Sequence, residues 1–144
     1  MCTRLAASFA VMVVFISGCA TTLIVDSTHR KVVEGYLASL TRRDLLALTA
    51  YTTVDVEWYT LVEGERIQEV SGRDGLAKSL QQIFDKYAAA RWTVESAEVV
   101  GNRVAVRERT EWQEDGRLQA RTSLGVYELS GGRIRRITYF LDGG

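Results

Sequence analysis

The chain has 144 residues, with 18 basic against 18 acidic side chains, one histidine and two cysteines. That balance excludes the clustered, uncompensated Lys and Arg of a nucleic-acid surface, and no group of His, Cys, Asp and Glu has metal-ligand spacing, so neither a metal nor another cofactor is expected. There is no proline, internal repeat or low-complexity run, and the length suffices for one domain with one core, not two.

The first element is an apolar run from Leu5 to Ile16 that closes on Ser17-Gly18-Cys19. It falls short of the ~20 residues needed to span hydrocarbon, and Arg4 and the amino terminus are its only preceding charges. Ile16-Ser17-Gly18-Cys19 resembles a bacterial lipobox: an aliphatic residue, two small ones, then a thiol that takes a diacylglyceryl group. The resemblance implies a signal peptide over residues 1–18, lipidation at Cys19 with palmitate-type chains, and a short tether over residues 19–26. It also implies a membrane anchor outside the cytoplasm, on the periplasmic face of the outer or inner membrane in a Gram-negative cell. No charge occurs from Leu5 to Val25, so an uncleaved anchor helix is the alternative, although Ser17, Gly18, Thr21 and Thr22 interrupt its apolar face. Either form anchors the domain in the cell envelope. After cleavage Cys19 is spent as a thioether and no disulfide can form, while two or three acyl chains hold where one binds reversibly. Residues 20–26 reach at most ~25 Å when extended.

From Ser27 the positions Val32, Val33, Tyr36, Leu37 and Leu40 recur at helical spacing, with Ser27 or Thr28 as N-cap. Asp44 can cap a short second helix carrying Leu45, Leu46, Leu48 and Tyr51. Val54, Val56 and Trp58 then alternate with Asp55, Glu57 and Tyr59, which reads as a half-buried strand, and Glu63-Gly64-Glu65 turns into a second one. Ser71-Gly72-Arg73-Asp74 resembles a capping box opening a third helix, whose inner face is Leu76, Leu80, Ile83, Phe84 and Tyr87. Beyond Arg91 everything is strand-like, with turns at Gly101-Asn102, Asp115-Gly116 and Gly131-Gly132. Three helices and a strongly twisted antiparallel meander make an α+β domain over residues 27–142, with helices on one face of a curved sheet.

Alternation on the strand from Arg103 places Val104, Val106, Glu108, Thr110 and Trp112 on one face. Glu108 is the only carboxylate there, where burial would raise its pKa and suit it to proton transfer. If Asp115-Gly116 is a two-residue turn, Glu108 lies opposite Ser123 and diagonal to Arg121. A structural Glu108–Arg121 ion pair without chemistry is the competing expectation. Tyr36, Trp58, Phe84, Tyr87, Trp92, Trp112, Tyr127 and Tyr139 should largely converge between helices and sheet, with some tyrosines rimming a cavity. On the last strand the apolar pattern turns Ile137, Tyr139 and Leu141 inward, whereas a two-residue turn at Gly131-Gly132 would turn Thr138 and Phe140 inward; a bulge would reconcile them. His29 reads as a surface residue, and Arg133, Arg135 and Arg136 as a solvated edge.

Several phrases, in order, resemble the nuclear transport factor 2-like superfamily, in particular its polyketide-cyclase (SnoaL-like) and ketosteroid-isomerase branches. They are Tyr36-Leu37-Ala38-Ser39-Leu40 with Arg43-Asp44-Leu45, Val56-Glu57-Trp58, Gly72-Arg73-Asp74-Gly75-Leu76, Val99 to Arg107, Gly125 to Leu129 with Gly132-Arg133-Ile134, and Tyr139 to Asp142. The resemblance implies a cystatin-like cone: a curved antiparallel sheet wrapped around three helices, with an internal pocket and frequent homodimerisation through the sheet. Tyr36 matches the tyrosine that donates to an oxyanion in the isomerases. The isomerase base falls on Thr60 and the second oxyanion donor on Gly125, neither of which can do that chemistry. The expected ligand-binding set is therefore Tyr36, Trp58, Thr60, Glu108, Arg121, Ser123, Tyr127 and Tyr139. Glu108 as acid or base and Tyr36 as donor are the catalytic candidates. The leading expectation is an anchored protein binding a small, mostly apolar molecule; the alternatives are an isomerase- or cyclase-type enzyme and a non-catalytic interaction module.

Overall fold

The computed structural model describes residues 19–87 and 89–141. The signal peptide expected over residues 1–18, the side chain of Cys19 and the domain's last residue, 142, lie outside what is described. Helix α1 (Cys19–Arg42) buries Val33, Tyr36, Leu37 and Leu40, the i, i+3, i+4, i+7 stripe of one face. It begins well before the expected cap at Ser27 or Thr28. Nothing in residues 20–26 stops a helix, since they hold neither Gly nor Pro, so this stretch is helical and not extended, rising only about 10 Å. Helix α2 (Leu45–Ala50) is capped as its sequence suggests, Asp44 accepting a hydrogen bond from the Ala47 amide.

Strands β1 (Thr52–Val62) and β2 (Glu65–Ser71) form a hairpin, followed by helix α3 (Arg73–Lys86). The capping box expected at Ser71 does not form. Gly72 is the N-cap at φ 79°, without a side-chain cap, because β2 runs through Ser71 and only a glycine turns readily into the helix at that φ. The Gly72 amide donates to the Val56 carbonyl at 2.7 Å, which ties the start of α3 to β1. Strands β3 (Arg91–Val100), β4 (Arg103–Glu114), β5 (Arg117–Ser130) and β6 (Arg133–Phe140) complete a sheet of order β2-β1-β6-β5-β4-β3. This is the α+β architecture, with its curved sheet, expected from the sequence. The pairing is antiparallel except between β1 and β6, which are parallel, so the sheet is mixed. Their register breaks between Thr52 and Glu57, and Val54, placed inward by simple alternation, is exposed there.

The helices cover one face of the sheet. Leu48, Leu76, Leu80 and Phe84 meet Val56, Val104, Val106, Tyr127, Ile134 and Ile137 in a single core. At Asp115-Gly116 both turn residues have positive φ, 50° and 73°, and Glu114 pairs with Arg117. This two-residue turn fixes Glu108 opposite Ser123. The Gly131-Gly132 turn is equally tight, with Ser130 paired to Arg133. Yet Leu129 pairs with Ile134 and Glu128 with Arg136, so Arg135 is an extra residue in β6. That bulge turns Ile137 and Tyr139 inward and resolves the two readings of the last strand. Among the described residues no helix is long and apolar enough to cross a membrane.

The bulge makes a sharp expectation. Deleting Arg135 would send Ile137 and Tyr139 to the solvent face, and cooperative urea unfolding should disappear. Arg135→Ala, which removes only an exposed side chain 3.7 Å from Asp55, should cost no more than about 0.5 kcal/mol. A deletion variant that unfolds like the parent would show that the extra residue does not set the register.

Candidate functional site

The half of the sheet nearer the β4–β5 turn is not filled by side chains. A cavity of about 300 Å³ lies there between α1, α3 and the sheet, at the lower end of the range of small-molecule pockets. All three tryptophans of the chain, Trp58, Trp92 and Trp112, line it. Of the residues expected to bind a ligand, Tyr36, Trp58, Thr60, Glu108, Arg121, Ser123 and Tyr139 all reach the cavity. Tyr127 does not; it is fully buried behind Glu108, part of the floor and not of the lining. Thr110 and Trp112 also line the cavity and were absent from the expected set, although they share the face of β4 that carries Glu108. The indole N–H groups of Trp58 and Trp112 are buried without a protein hydrogen-bond partner.

Each wall residue is placed by an identifiable piece of the fold. Tyr36 comes from the buried stripe of α1 and meets Tyr127 edge-on, ring centroids 6.0 Å apart. Its hydroxyl has no hydrogen-bond partner among the described residues, and burial, followed by the proximity of Glu108, raises its pKa. Trp58 and Thr60 alternate along β1, and Trp58 packs edge-on against Tyr139 at 5.9 Å. At the C-terminus of α3, Arg43 donates to the carbonyls of Phe84 at 3.1 Å and Tyr87 at 2.7 Å. This pins the helix end that carries the cavity residue Tyr87.

Glu108 is 1% exposed and forms no ion pair with Arg121. The expected pair is overturned, and Gly125 supplies the reason. A Cβ at Gly125 would stand 2.6 Å from Glu108 Oε1, so the carboxyl occupies the room that a side chain there would fill. It leans over Gly125 toward Tyr127 and Tyr139, away from Arg121 on the opposite diagonal. The Tyr127 hydroxyl bonds Glu108 Oε1, the Tyr139 hydroxyl lies 3.2 Å from Oε2, and the two hydroxyls lie 2.8 Å from each other. Strands β4, β5 and β6 thus meet in a ring of three polar groups.

Counting protons decides which form of the carboxyl the ring accommodates. An ionised Glu108 leaves two tyrosine protons for three contacts, so one oxygen pair is in contact with no hydrogen between. A neutral Glu108 supplies the third: Glu108 donates to Tyr139, Tyr139 to Tyr127, and Tyr127 to the Glu108 carbonyl oxygen, with every contact satisfied. Burial acts in the same direction and raises the Glu108 pKa to about 7, against the pull of the two tyrosine hydrogen bonds. Burial, then the charge Glu108 would carry, raises the Tyr127 and Tyr139 hydroxyls as well.

A family model described as a SnoaL-like domain matches residues 33–137. The chain belongs to the SnoaL-like family. The solved structures similar to this SnoaL-like domain share its fold. An epoxide hydrolase of the LEH-like type from M. tuberculosis is 19% identical, with a TM-score of 0.69, covering 82% of this chain and 85% of its own. A protein from Jannaschia sp. CCS1 named as a SnoaL-like polyketide cyclase is 14% identical, with a TM-score of 0.69 and coverages of 81% and 86%. TerC, crystallised with polyporic acid, is 17% identical, with a TM-score of 0.68 and coverages of 80% and 92%. A search of curated protein sequences finds no match.

The ring of the SnoaL-like domain has a measurable signature. The folded-state pKa of Glu108, about 7, lies above the ordinary 4.5. The unfolded chain therefore gives up this proton first, and folding stability falls as pH rises through the window from 4.5 to 7. The loss is about 3 kcal/mol. Glu108→Gln keeps the shape and one donor of the neutral acid. Urea titrations should find the variant close to the parent at pH 4.5 and more stable by roughly that amount above pH 7. Parallel pH profiles for the two proteins would show that Glu108 is already ionised in the fold.

Proposed function

We propose that this chain is a lipid-anchored protein of the bacterial cell envelope whose SnoaL-like domain binds a small, mostly apolar molecule in its internal cavity. The observation that carries the binding half is the cavity itself, walled by all three tryptophans and floored by a polar ring whose hydrogen bonds close on themselves. A site of that make-up offers aromatic contact area to a ligand and little exposed charge. TerC, a neighbour of the same fold, was co-crystallised with a small molecule, polyporic acid, which supports reading the domain as a ligand binder. The anchoring half rests on the run Leu5 to Ile16 and the lipobox-like Ile16-Ser17-Gly18-Cys19.

One observation favours a second reading, a pocket enzyme of isomerase or cyclase type. Glu108 is a buried carboxyl at the cavity with a pKa near neutrality, the range suited to general acid–base work. In its neutral form it would act first as an acid, with the Tyr36 hydroxyl, unpartnered among the described residues, as a second donor. Thr60 is no base and Gly125 has no side-chain donor, so the ketosteroid-isomerase arrangement itself is not available.

Two measurements test the reading. Decanol titrated into the purified domain should shift the tryptophan emission to shorter wavelength with saturation, because all three indoles face the site; an unchanged spectrum and melting temperature would remove the binding function. In cells, the protein should fractionate with membranes, carry labelled palmitate, and lose both in Cys19→Ser. A Cys19→Ser protein that stays membrane-bound at the mass of the parent would instead establish the uncleaved anchor helix.

A further inference from the structure

Accepting that the cavity is a ligand site, its charge pattern specifies the ligand further. Among the described residues lining it, only Glu108 and Arg121 bear groups that can be charged near neutral pH. The ring with Tyr127 and Tyr139 is complete when Glu108 is neutral, so below a pH of about 7 the floor offers little negative charge. Arg121 is the opposite case. Arg103, Arg107, Arg109, Arg135 and Arg136 each lie within 4 Å of a carboxylate. Arg121 has no such partner among the described residues, although its side chain borders the cavity and reaches solvent.

The placement is that of a mouth and a floor. Arg121 is paired with Thr110 and stands two residues from Ser123, which faces Glu108 across β4 and β5. Two strand residues span about 7 Å, and both hydroxyls border the cavity. Beyond them the wall is mostly aromatic and aliphatic, with Thr60 and the tyrosines Tyr36, Tyr87 and Tyr139 as its uncharged polar members. A guanidinium presents a fork of donors matched to a carboxylate or phosphate, whereas a cationic ligand would meet Arg121 with no carboxylate to answer it. We propose that the cavity takes an amphiphile with a single anionic group, its head held by Arg121 at the mouth and its apolar body packed on Trp58, Trp92 and Trp112 toward the neutral ring.

Decanoate, decanol and decylamine share one chain and differ in the head, so their affinities at pH 6, read by tryptophan emission or calorimetry on the purified protein, separate the contributions. Decanoate should bind about tenfold more tightly than decanol, the gain of one charge-assisted contact at a partly solvated site, and decylamine most weakly. Arg121→Gln should bring decanoate to within about twofold of decanol, and urea unfolding like that of the parent shows that the variant is folded; Arg121→Lys should keep part of the preference. Equal binding of decanoate and decanol, or a preference for decylamine, would overturn the anionic head while leaving an apolar pocket standing. Failure of all three to bind would overturn the pocket together with it.

Discussion

The burial of one carboxyl constrains three strands at once. Glu108 projects from β4 into the space above Gly125 of β5, and its two oxygens engage Tyr127 of β5 and Tyr139 of β6. A buried ionised carboxylate without a cation costs several kcal/mol, whereas a neutral acid closing a ring of three donors and three acceptors leaves no unpaired group. The structure meets that demand by geometry. Gly125 clears the room, the bulge at Arg135 brings Tyr139 to the inner face, and the tight Asp115-Gly116 turn fixes the register of β4 on β5. Each is a separate piece of backbone, and all three converge on the same few cubic ångströms.

Much of this was legible in the sequence because it follows from period and turn chemistry. The four strands after Arg91 and their three glycine-containing turns read directly, and strict alternation from Val104 exposes Glu108 as a carboxylate on an apolar face. What alternation cannot show is which diagonal neighbour a side chain chooses. Arg121 and Gly125 flank Ser123 symmetrically in the pairing of β4 with β5, and charge alone favours Arg121. The absence of a side chain at Gly125 decides the matter, since it opens a pocket for the carboxyl that leads to two tyrosine hydroxyls, while Arg121 keeps its solvent. The inward turn of Tyr139 was visible as a conflict between the apolar pattern and the turn length, and the pairing of β5 with β6 locates the extra residue at Arg135. Ser27 and Thr28 are good caps in isolation and suggest too late a start for α1; nothing in residues 20–26 opposes helix, so the helix runs on through both.

The unfilled end of the sheet connects fold to function. Sixteen of the described residues, of mixed size, line the cavity, yet the bulky ones stand around its walls and do not cross it. Trp58 leans on Tyr139, Phe84 on Trp92 and Tyr87 on Trp112, all edge-to-face at about 6 Å. Such pairs brace one another from the side, so that the space between them is kept by mutual support. Shared folds host unrelated chemistries, and what distinguishes this cavity is its own arrangement: Gly125 without a side chain, and Glu108 reaching into that room from the neighbouring strand.

The direction of α1 relates this cavity to the proposed anchor. Near the middle of the helix, His29 Nδ1 lies 3.1 Å from the Gly101 carbonyl at the β3–β4 turn, and near its end Thr41 donates to the Trp92 carbonyl at 3.2 Å. Trp92 borders the cavity, as do Tyr36 and Leu40 from the second half of the helix, while Gly101 belongs to the opposite end of the sheet. From His29 to Thr41 the helix rises about 18 Å. An acyl anchor at Cys19 would therefore enter the domain at the end where β3 turns into β4, and the cavity would lie at least that far along the helix from the point of attachment. With α1 helical from Cys19 onward, the connection has little slack to fold the domain back on itself. With the proposed anchor in place, the mouth beside Arg121 would lie away from the point of attachment, and a molecule would reach the aromatic wall from solution without first entering a bilayer.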